Sequence, residues 1–217
     1  EFPEIASYDI DARLIPAEHA IAGHEVLAWR NDSPDYIREL RFHLYMNAFR
    51  DAKSTFMRED RDLAERLRER NGWGSIEVRS IRIENGPDLT KSIRYIAPDD
   101  GNPDDGTVMA VDLPEPVRPG ATIRVAIDFH TRLPRGAPRA GWQGQYHFVS
   151  QWFPKIGVWE SAGVRGAAEG RWNCHQYHAR SEFYADFGRY AVNITTPSNY
   201  IVGATGVLER RTEDKAA

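Results

Sequence analysis

The 217-residue sequence predicts an all-β fold, an antiparallel β-sandwich or a stack of curved sheets, with one short surface helix. Many short runs alternate apolar with polar residues, which is typical of strands that bury one face. Clusters of Pro, Gly, Asn and Asp separate these runs at the spacing expected between the strands of a sandwich. One segment, residues 58–70, instead combines good helix formers with an absence of β-branched side chains.

The first predicted strand, residues 8–14, alternates without interruption, with apolar side chains on one face and charged side chains on the other. Residues 20–30 and 40–45 continue the pattern after turn clusters. If neighbours in sequence pair, these three strands form an antiparallel meander. Further strands are predicted at residues 75–83, 92–96, 108–113, 121–131, 182–195 and 200–208.

The predicted helix, residues 58–70, carries a narrow apolar stripe made by Leu63, Ala64 and Leu67. Its remaining side chains are mostly charged and are expected to face solvent. The pair Asn71-Gly72 follows at once, and this is a typical signal for the C-terminal cap of a helix. We therefore predict a short surface helix.

Residues 141–160 are the most aromatic part of the chain and contain a Phe153-Pro154 step. Large apolar side chains alternate here with amides and an imidazole, so the stretch is predicted to be a strand with one buried face. The polar face is either simply solvated or able to recognise a ligand. The apolar members are Trp142, Tyr146, Phe148, Trp152 and Phe153, and the polar members are Gln143, Gln145, His147 and Gln151.

Composition narrows the function classes. The net charge is -4 and no basic block stands out, so we expect no nucleic-acid partner. No apolar run approaches the roughly 20 residues of a membrane-spanning helix. The single Cys174 excludes an internal disulfide.

The chain opens on Glu1 rather than Met, so we expect a segment upstream of it. We favour a secreted, periplasmic or membrane-attached location over a cytoplasmic one.

Two groups of residues are candidates for metal binding, and both are incomplete. His24-Glu25 opens like the H-E-x-x-H zinc motif, but position 28 is Ala and the segment is predicted to be a strand rather than a helix. Cys174, His175 and His178 are ligand types at short spacing, but they lack further partners nearby. We therefore predict no metal ligand and no catalytic residue, and we expect the isolated chain to bind no zinc.

Six segments in fixed order carry a family resemblance: YDIDARL, IAGHEV, LRFHLYMNAF, LPEPVRPGATIRVAIDF, QGQYHFVSQWFP and YAVNITTPSNYIVGATG. Together they resemble the N-terminal domain of the aminopeptidase N family of zinc metallopeptidases, over nearly the whole chain. The resemblance implies a saddle-shaped, mostly antiparallel β domain that packs against a thermolysin-like catalytic domain. In that family the zinc ligands follow the N-terminal domain, on H-E-x-x-H…E.

This chain contains neither that zinc motif nor the G-x-M-E-N substrate strand of the family's catalytic domain. The resemblance therefore implies that residues 1–217 are a single N-terminal domain of a larger metallopeptidase, ending before the domain's last strands. Zinc is expected in the catalytic domain of the parent polypeptide and not in this chain.

The family resemblance also assigns one binding role. In the family, a Gln or Glu nine positions before the Pro of the F-P step binds the free α-amine of the substrate. Gln145 stands nine positions before Pro154, and Gln143 matches the leading Gln of the family pattern. The Cys or Asp-Glu-Pro that commonly follows the F-P step is replaced here by residues 155–158, Lys-Ile-Gly-Val.

Two functions of different class remain open. The first is a non-catalytic domain that packs on the catalytic domain of the same polypeptide and helps bind the N-terminus of a peptide substrate. The second is a stand-alone β-sandwich binding or interaction module without peptidase activity. Residues 209–215 are predicted to form the tip of a hairpin without a returning strand. The unpaired strand 200–208 is therefore expected to make the chain self-associate.

Overall fold

The computed structural model describes residues 3–213, and the predicted all-β class is confirmed. The strands of this part of the chain are, in order, β1 (Ala6–Ile15), β2 (Ala20–Arg30), β3 (Ile37–His43), β4 (Ser75–Ile83), β5 (Ile93–Ile96), β6 (Val108–Val117), β7 (Thr122–Arg132), β8 (Gly141–Gln143), β9 (Tyr146–Phe148), β10 (Lys155–Ile156), β11 (Val158–Glu160), β12 (Arg171–Asn173) and β13 (Tyr190–Thr195). Two short α-helices, α1 (Thr55–Glu59) and α2 (Arg61–Glu69), lie between β3 and β4. Short 3₁₀ turns cover Pro16–Glu18, Tyr45–Phe49, Thr90–Ser92 and Val164–Gly166.

Two larger sheets build the domain. A five-stranded sheet has the order β13-β1-β2-β7-β4, and a four-stranded sheet has the order β10-β3-β6-β5. Two small hairpin sheets, β11-β12 and β8-β9, are added to them. The strand pairs are antiparallel except that β13 runs parallel to β1. The meander expected from the first three strands stops after β1-β2, because β3 crosses to the other sheet and pairs there with β6.

The buried faces of the two larger sheets share one hydrophobic core. Leu27 and Trp29 enter it from β2 and Phe129 from β7, while Leu40 and Phe42 enter it from β3. Each of these side chains is almost fully buried, and the residues between them along the strands are more exposed. The period-two pattern that predicted the strands is thus the pattern of core burial.

The single predicted helix is in fact two helices, so that prediction is corrected. Asp60 breaks residues 58–70 because its backbone is non-helical (φ -115°, ψ 75°) and its Oδ1 accepts from the Leu63 N–H at 3.0 Å. Such competition between a short polar side chain and the helical backbone favours a cap over a helix interior. The apolar stripe of α2 is buried as predicted, and the Gly72 N–H closes its end on the Leu67 carbonyl at 2.8 Å.

Residues 141–160 do not form one continuous strand, which corrects the prediction for this stretch. Gly144 has a left-handed backbone (φ 60°), and it turns the chain between β8 and β9. Gln151 is also left-handed (φ 53°), and Pro154 has no N–H to continue a ladder. As a result, Tyr146 and Phe148 are 68% and 49% exposed rather than buried.

The C-terminal part also departs from expectation. Residues 182–189 are irregular, and β13 begins only at Tyr190. Gly188 packs so closely on the Ala6 carbonyl that no Cβ would fit there. Residues 200–208 form no strand and are largely exposed, so the open sheet edge belongs to β13 instead. The last two residues of the predicted hairpin tip, 214 and 215, lie outside the described residues.

No helix within residues 3–213 has the length and hydrophobicity needed to cross a membrane.

Candidate functional site

The two predicted site residues lie together at the tip of the β8-β9 hairpin. Gln143 ends β8 opposite Tyr146, and Gln145 is the second residue of a two-residue turn. Gly144 is the first residue of this turn and has a positive φ, whereas Gln145, the second, does not. This is the pattern of a type II′ turn, which favours Gly at its first position. Both Gln side chains are exposed. The hairpin therefore exposes both amides to solvent.

A histidine pair supports this tip from below. The Nδ1 atom of His147 lies 3.1 Å from the Gln145 carbonyl oxygen. A carbonyl can only accept, so Nδ1 carries the proton and donates to it. In neutral His147 the Nε2 atom is then an acceptor, and it lies 3.1 Å from Nδ1 of His19, which donates. Residues 128 positions apart in sequence are thereby connected through their side chains.

His19 is itself held in place. Its ring stacks on Trp142 with centroids 3.4 Å apart and planes 5° apart, and the guanidinium of Arg135 lies 5.2 Å from the same Trp142 ring. The His19 carbonyl accepts from the Leu133 N–H at 2.9 Å. The Trp142 N–H donates to the Pro134 carbonyl at 3.0 Å. The short segment that follows β7 thus holds both stacked rings.

The electrostatics of the cluster favour a neutral His19. Burial lowers the pKa of His19. The nearby His147, Arg132 and Arg135 lower it further, because they disfavour a positive charge on the His19 ring. In the neutral or the charged form its Nδ1–H can donate, and the bond to His147 needs Nε2 of His147 as the acceptor.

The exposed amide of Gln145 can recognise a cation by its oxygen. An amide oxygen accepts hydrogen bonds from an ammonium group, although less strongly than a carboxylate does. The amide nitrogen of either Gln can in addition donate to a backbone carbonyl of a bound peptide. The tip thus offers amide donors and acceptors to solvent.

The His24-Glu25 pair cannot bind one metal ion. Both residues lie on β2, where successive side chains point to opposite faces. His24 is exposed and lies 2.7 Å from Asp128 Oδ1, whereas Glu25 is fully buried in the core. Burial raises the pKa of Glu25 well above its ordinary value, so its protonated form is favoured.

The second group of ligand-type residues is engaged in hydrogen bonds. Cys174 is buried, which raises the pKa of its thiol, and a protonated thiol is a poor metal ligand. His175 lies 2.6 Å from Asp99, and His178 lies 2.7 Å from Glu59 and 3.2 Å from Asp99. Within residues 3–213, no three His, Cys, Asp or Glu side chains converge on a possible metal position.

The sequence alone identified the two glutamines as candidates, but it did not indicate the contacts of His19 and His147 with the hairpin. His19 carries no local signal, since it stands at a turn 128 positions from its partner. The turn itself was signalled, because a Gly between two runs of alternating residues is a typical two-residue hairpin loop. A turn at Gly144 predicts two short strands, β8 and β9, in place of one continuous strand.

No protein-family model and no curated protein sequence matches this chain. Among solved structures, a mutant of the M1 zinc metallopeptidase of Deinococcus radiodurans bound to a Tyr-Ser-Ala substrate matches with a TM-score of 0.51 and 18% identity. The match covers 97% of this chain and 36% of that one. A two-domain M1 zinc metallopeptidase mutant bound to L-tryptophan matches with a TM-score of 0.50 over 98% of this chain and 38% of that one, again at 18% identity.

The fold is that of one part of an M1 zinc metallopeptidase. The resemblance inferred from the ordered sequence segments is confirmed at the level of the fold. The chain spans little more than a third of the length of the M1 peptidases it matches, 36% in the first case. The M1-like fold accounts for nearly all of the present chain, 97% in the first match.

Proposed function

We propose that residues 1–217 form the N-terminal, non-catalytic domain of a zinc aminopeptidase-like metallopeptidase. The domain packs on the catalytic domain of the same polypeptide and helps to bind the N-terminus of a peptide substrate. The observation that carries this proposal is the M1-like fold over 97% of the chain. The exposed pair of amides at the tip of the β8-β9 hairpin is consistent with it.

An exposed apolar strip on β13 supports packing against a further domain. Tyr190, Val192 and Ile194 pair with residues of β1 that are buried, so they share the core-facing side of the sheet. They are nevertheless 45%, 40% and 46% exposed. Apolar residues grouped on a surface in this way mark sites of contact with another protein surface. The catalytic domain is the partner that we propose for this strip.

Gln145 is the residue that we propose contacts the substrate amine, with Gln143 beside it. The amide oxygen of Gln145 would accept from the α-ammonium group, and the protein would gain a charge-assisted hydrogen bond. The contribution of such a bond is about 1.5–3 kcal/mol. The role is that of a binding group, since neither amide can act as a general base at neutral pH.

The zinc ion of the proposed peptidase belongs to its catalytic domain. Residues 3–213 do not fit a zinc site, because His24 and Glu25 point to opposite faces of β2, Cys174 is buried as a thiol, and no three ligand-type side chains converge. The domain's own contribution is therefore to bind and orient the substrate.

Reading the coding frame beyond Ala217 separates the two functions that the sequence left open. An H-E-x-x-H motif shortly downstream supports the peptidase domain. A stop codon, or an unrelated domain there, overturns the proposal and favours the stand-alone binding module.

Kinetics on the full-length polypeptide test the role of Gln145. We expect Gln145→Ala to lower kcat/KM for peptides with a free amine by about ten- to hundredfold, mainly through KM. Gln145→Glu serves as a matched variant and should retain or improve binding, because a carboxylate is the stronger acceptor for an ammonium. N-acetylated peptides should show no penalty. Equal losses on both kinds of peptide would contradict amine recognition.

A further inference from the structure

We propose that His147 and His19 are positioning residues that hold the main chain of Gln145 where its amide can meet the substrate amine. This inference rests on the proposed function of Gln145. It adds to that function two residues, one of which lies on a different element, the β1-β2 turn.

The hairpin needs such support because it is small. Strands β8 and β9 have three residues each and pair mainly with one another. An isolated two-stranded hairpin is only marginally stable in water. A binding group on its tip would be poorly placed unless further contacts restrict the tip.

His147 supplies the first contact at the residue that matters. Its Nδ1–H donates to the Gln145 carbonyl at 3.1 Å, so the imidazole fixes the peptide unit next to the recognising side chain. The ring of Tyr200, from the turn after β13, lies 5.8 Å from the His147 ring on another side.

His19 connects this contact to the main sheet. It follows the 3₁₀ turn Pro16–Glu18 with a left-handed backbone (φ 50°), and its N–H donates to the Pro16 carbonyl at 3.1 Å. Its Nδ1–H donates to His147, and its ring lies against Trp142 at the base of the hairpin. Two hydrogen bonds, from His19 to His147 and from His147 to the Gln145 carbonyl, therefore connect the β1-β2 turn to Gln145, and the stack on Trp142 helps to hold the His19 ring.

The arrangement depends on the protonation of the pair. If both imidazoles carry two protons, two N–H groups face each other and the bond is lost. The charged groups that face His19 are Arg132 and Arg135, which add to the repulsion, and the neighbouring Glu18 pairs with His130 at 3.5 Å.

The test combines kinetics with imidazole NMR. In the full-length polypeptide, His147→Ala should raise KM for free-amine peptides about two- to tenfold with little change in kcat. His147→Asn should recover most of this loss, because its amide nitrogen can donate from the position of Nδ1. His19→Ala should act like His147→Ala, because it removes the donor to Nε2 of His147. N-acetylated peptides should be unaffected by all three changes.

In the 217-residue chain, ¹⁵N imidazole shifts should report His147 protonated at Nδ1, and His19→Ala should shift the Nε2 resonance of His147. Protonation of His147 at Nε2 instead would overturn the inference. An effect of Gln145→Ala on KM without any effect of His147→Ala would overturn it too, and would leave the amine-binding role intact. If Gln145→Ala itself leaves KM unchanged, the proposed function fails and the positioning role falls with it.

Discussion

The hydroxyl oxygen of Tyr8 accepts a hydrogen bond from the backbone N–H of Ile156 at 3.0 Å, across 148 positions of sequence. Tyr8 lies on β1 in the five-stranded sheet, and Ile156 lies on β10 at the edge of the four-stranded sheet. The bond therefore joins the two sheets. The Tyr8 ring also packs edge-on against Phe153 at 5.3 Å, just before Pro154.

Tyr8→Phe should destabilise the domain because it leaves the buried Ile156 N–H without its acceptor. An unsatisfied buried donor costs about 1–3 kcal/mol, and we expect a loss of that size in the free energy of unfolding. Urea denaturation of the purified chain measures it. Tyr36→Phe is the matched control, since Tyr36 is 60% exposed. Equal stability of the two variants would show that the Tyr8 hydroxyl is dispensable.

Glu25 should make the stability of the chain depend on pH. Its carboxyl is fully buried, and both oxygens are without a hydrogen-bond partner among residues 3–213. Burial raises its pKa well above the ordinary value of 4.5, so the folded state holds the proton more tightly than the unfolded state. The stabilising effect is thus complete below pH 4.5 and is lost as the pH rises through the folded pKa.

Chemical denaturation between pH 4 and pH 8, compared between the native chain and Glu25→Gln, isolates this contribution. The native chain should lose stability relative to the variant by up to about 1.4 kcal/mol per pH unit, until Glu25 ionises in the folded state. Glu115→Gln, at an exposed position, should follow the native chain. Parallel curves for native chain and Glu25→Gln would mean that Glu25 keeps its ordinary pKa.

The open edge of β13 should make the isolated chain self-associate. An edge strand offers unpaired backbone groups, and the exposed Val192 and Ile194 add apolar surface beside them. Light scattering against concentration should show association, and the double variant Val192→Lys with Ile194→Lys should reduce it. Ile201→Lys is the control, because Ile201 is 99% exposed but lies outside the sheet. If Ile201→Lys acts as strongly, the contact runs through residues 200–208 instead.

The sequence by itself determined the features that depend on neighbouring residues. Alternation along β1 predicted both the strand and its buried face, and β2 and β7 were predicted as strands, because the side-chain period of a strand is local. The cap at Gly72 was predicted for the same reason, since the helix end and its cap lie within a few residues. The ordered segments also predicted the fold of nearly the whole chain.

Tertiary structure alone decided which distant segments meet. It pairs β13 in parallel with β1, and it brings His19 into contact with His147. It also buries Glu25 without a hydrogen-bond partner among residues 3–213. Such contacts follow from how the sheets stack around a common core, and no local period encodes them. The local pattern predicted one strand with a buried face over residues 141–160. In the folded chain this stretch is instead divided into four short strands, and the first two form an exposed hairpin.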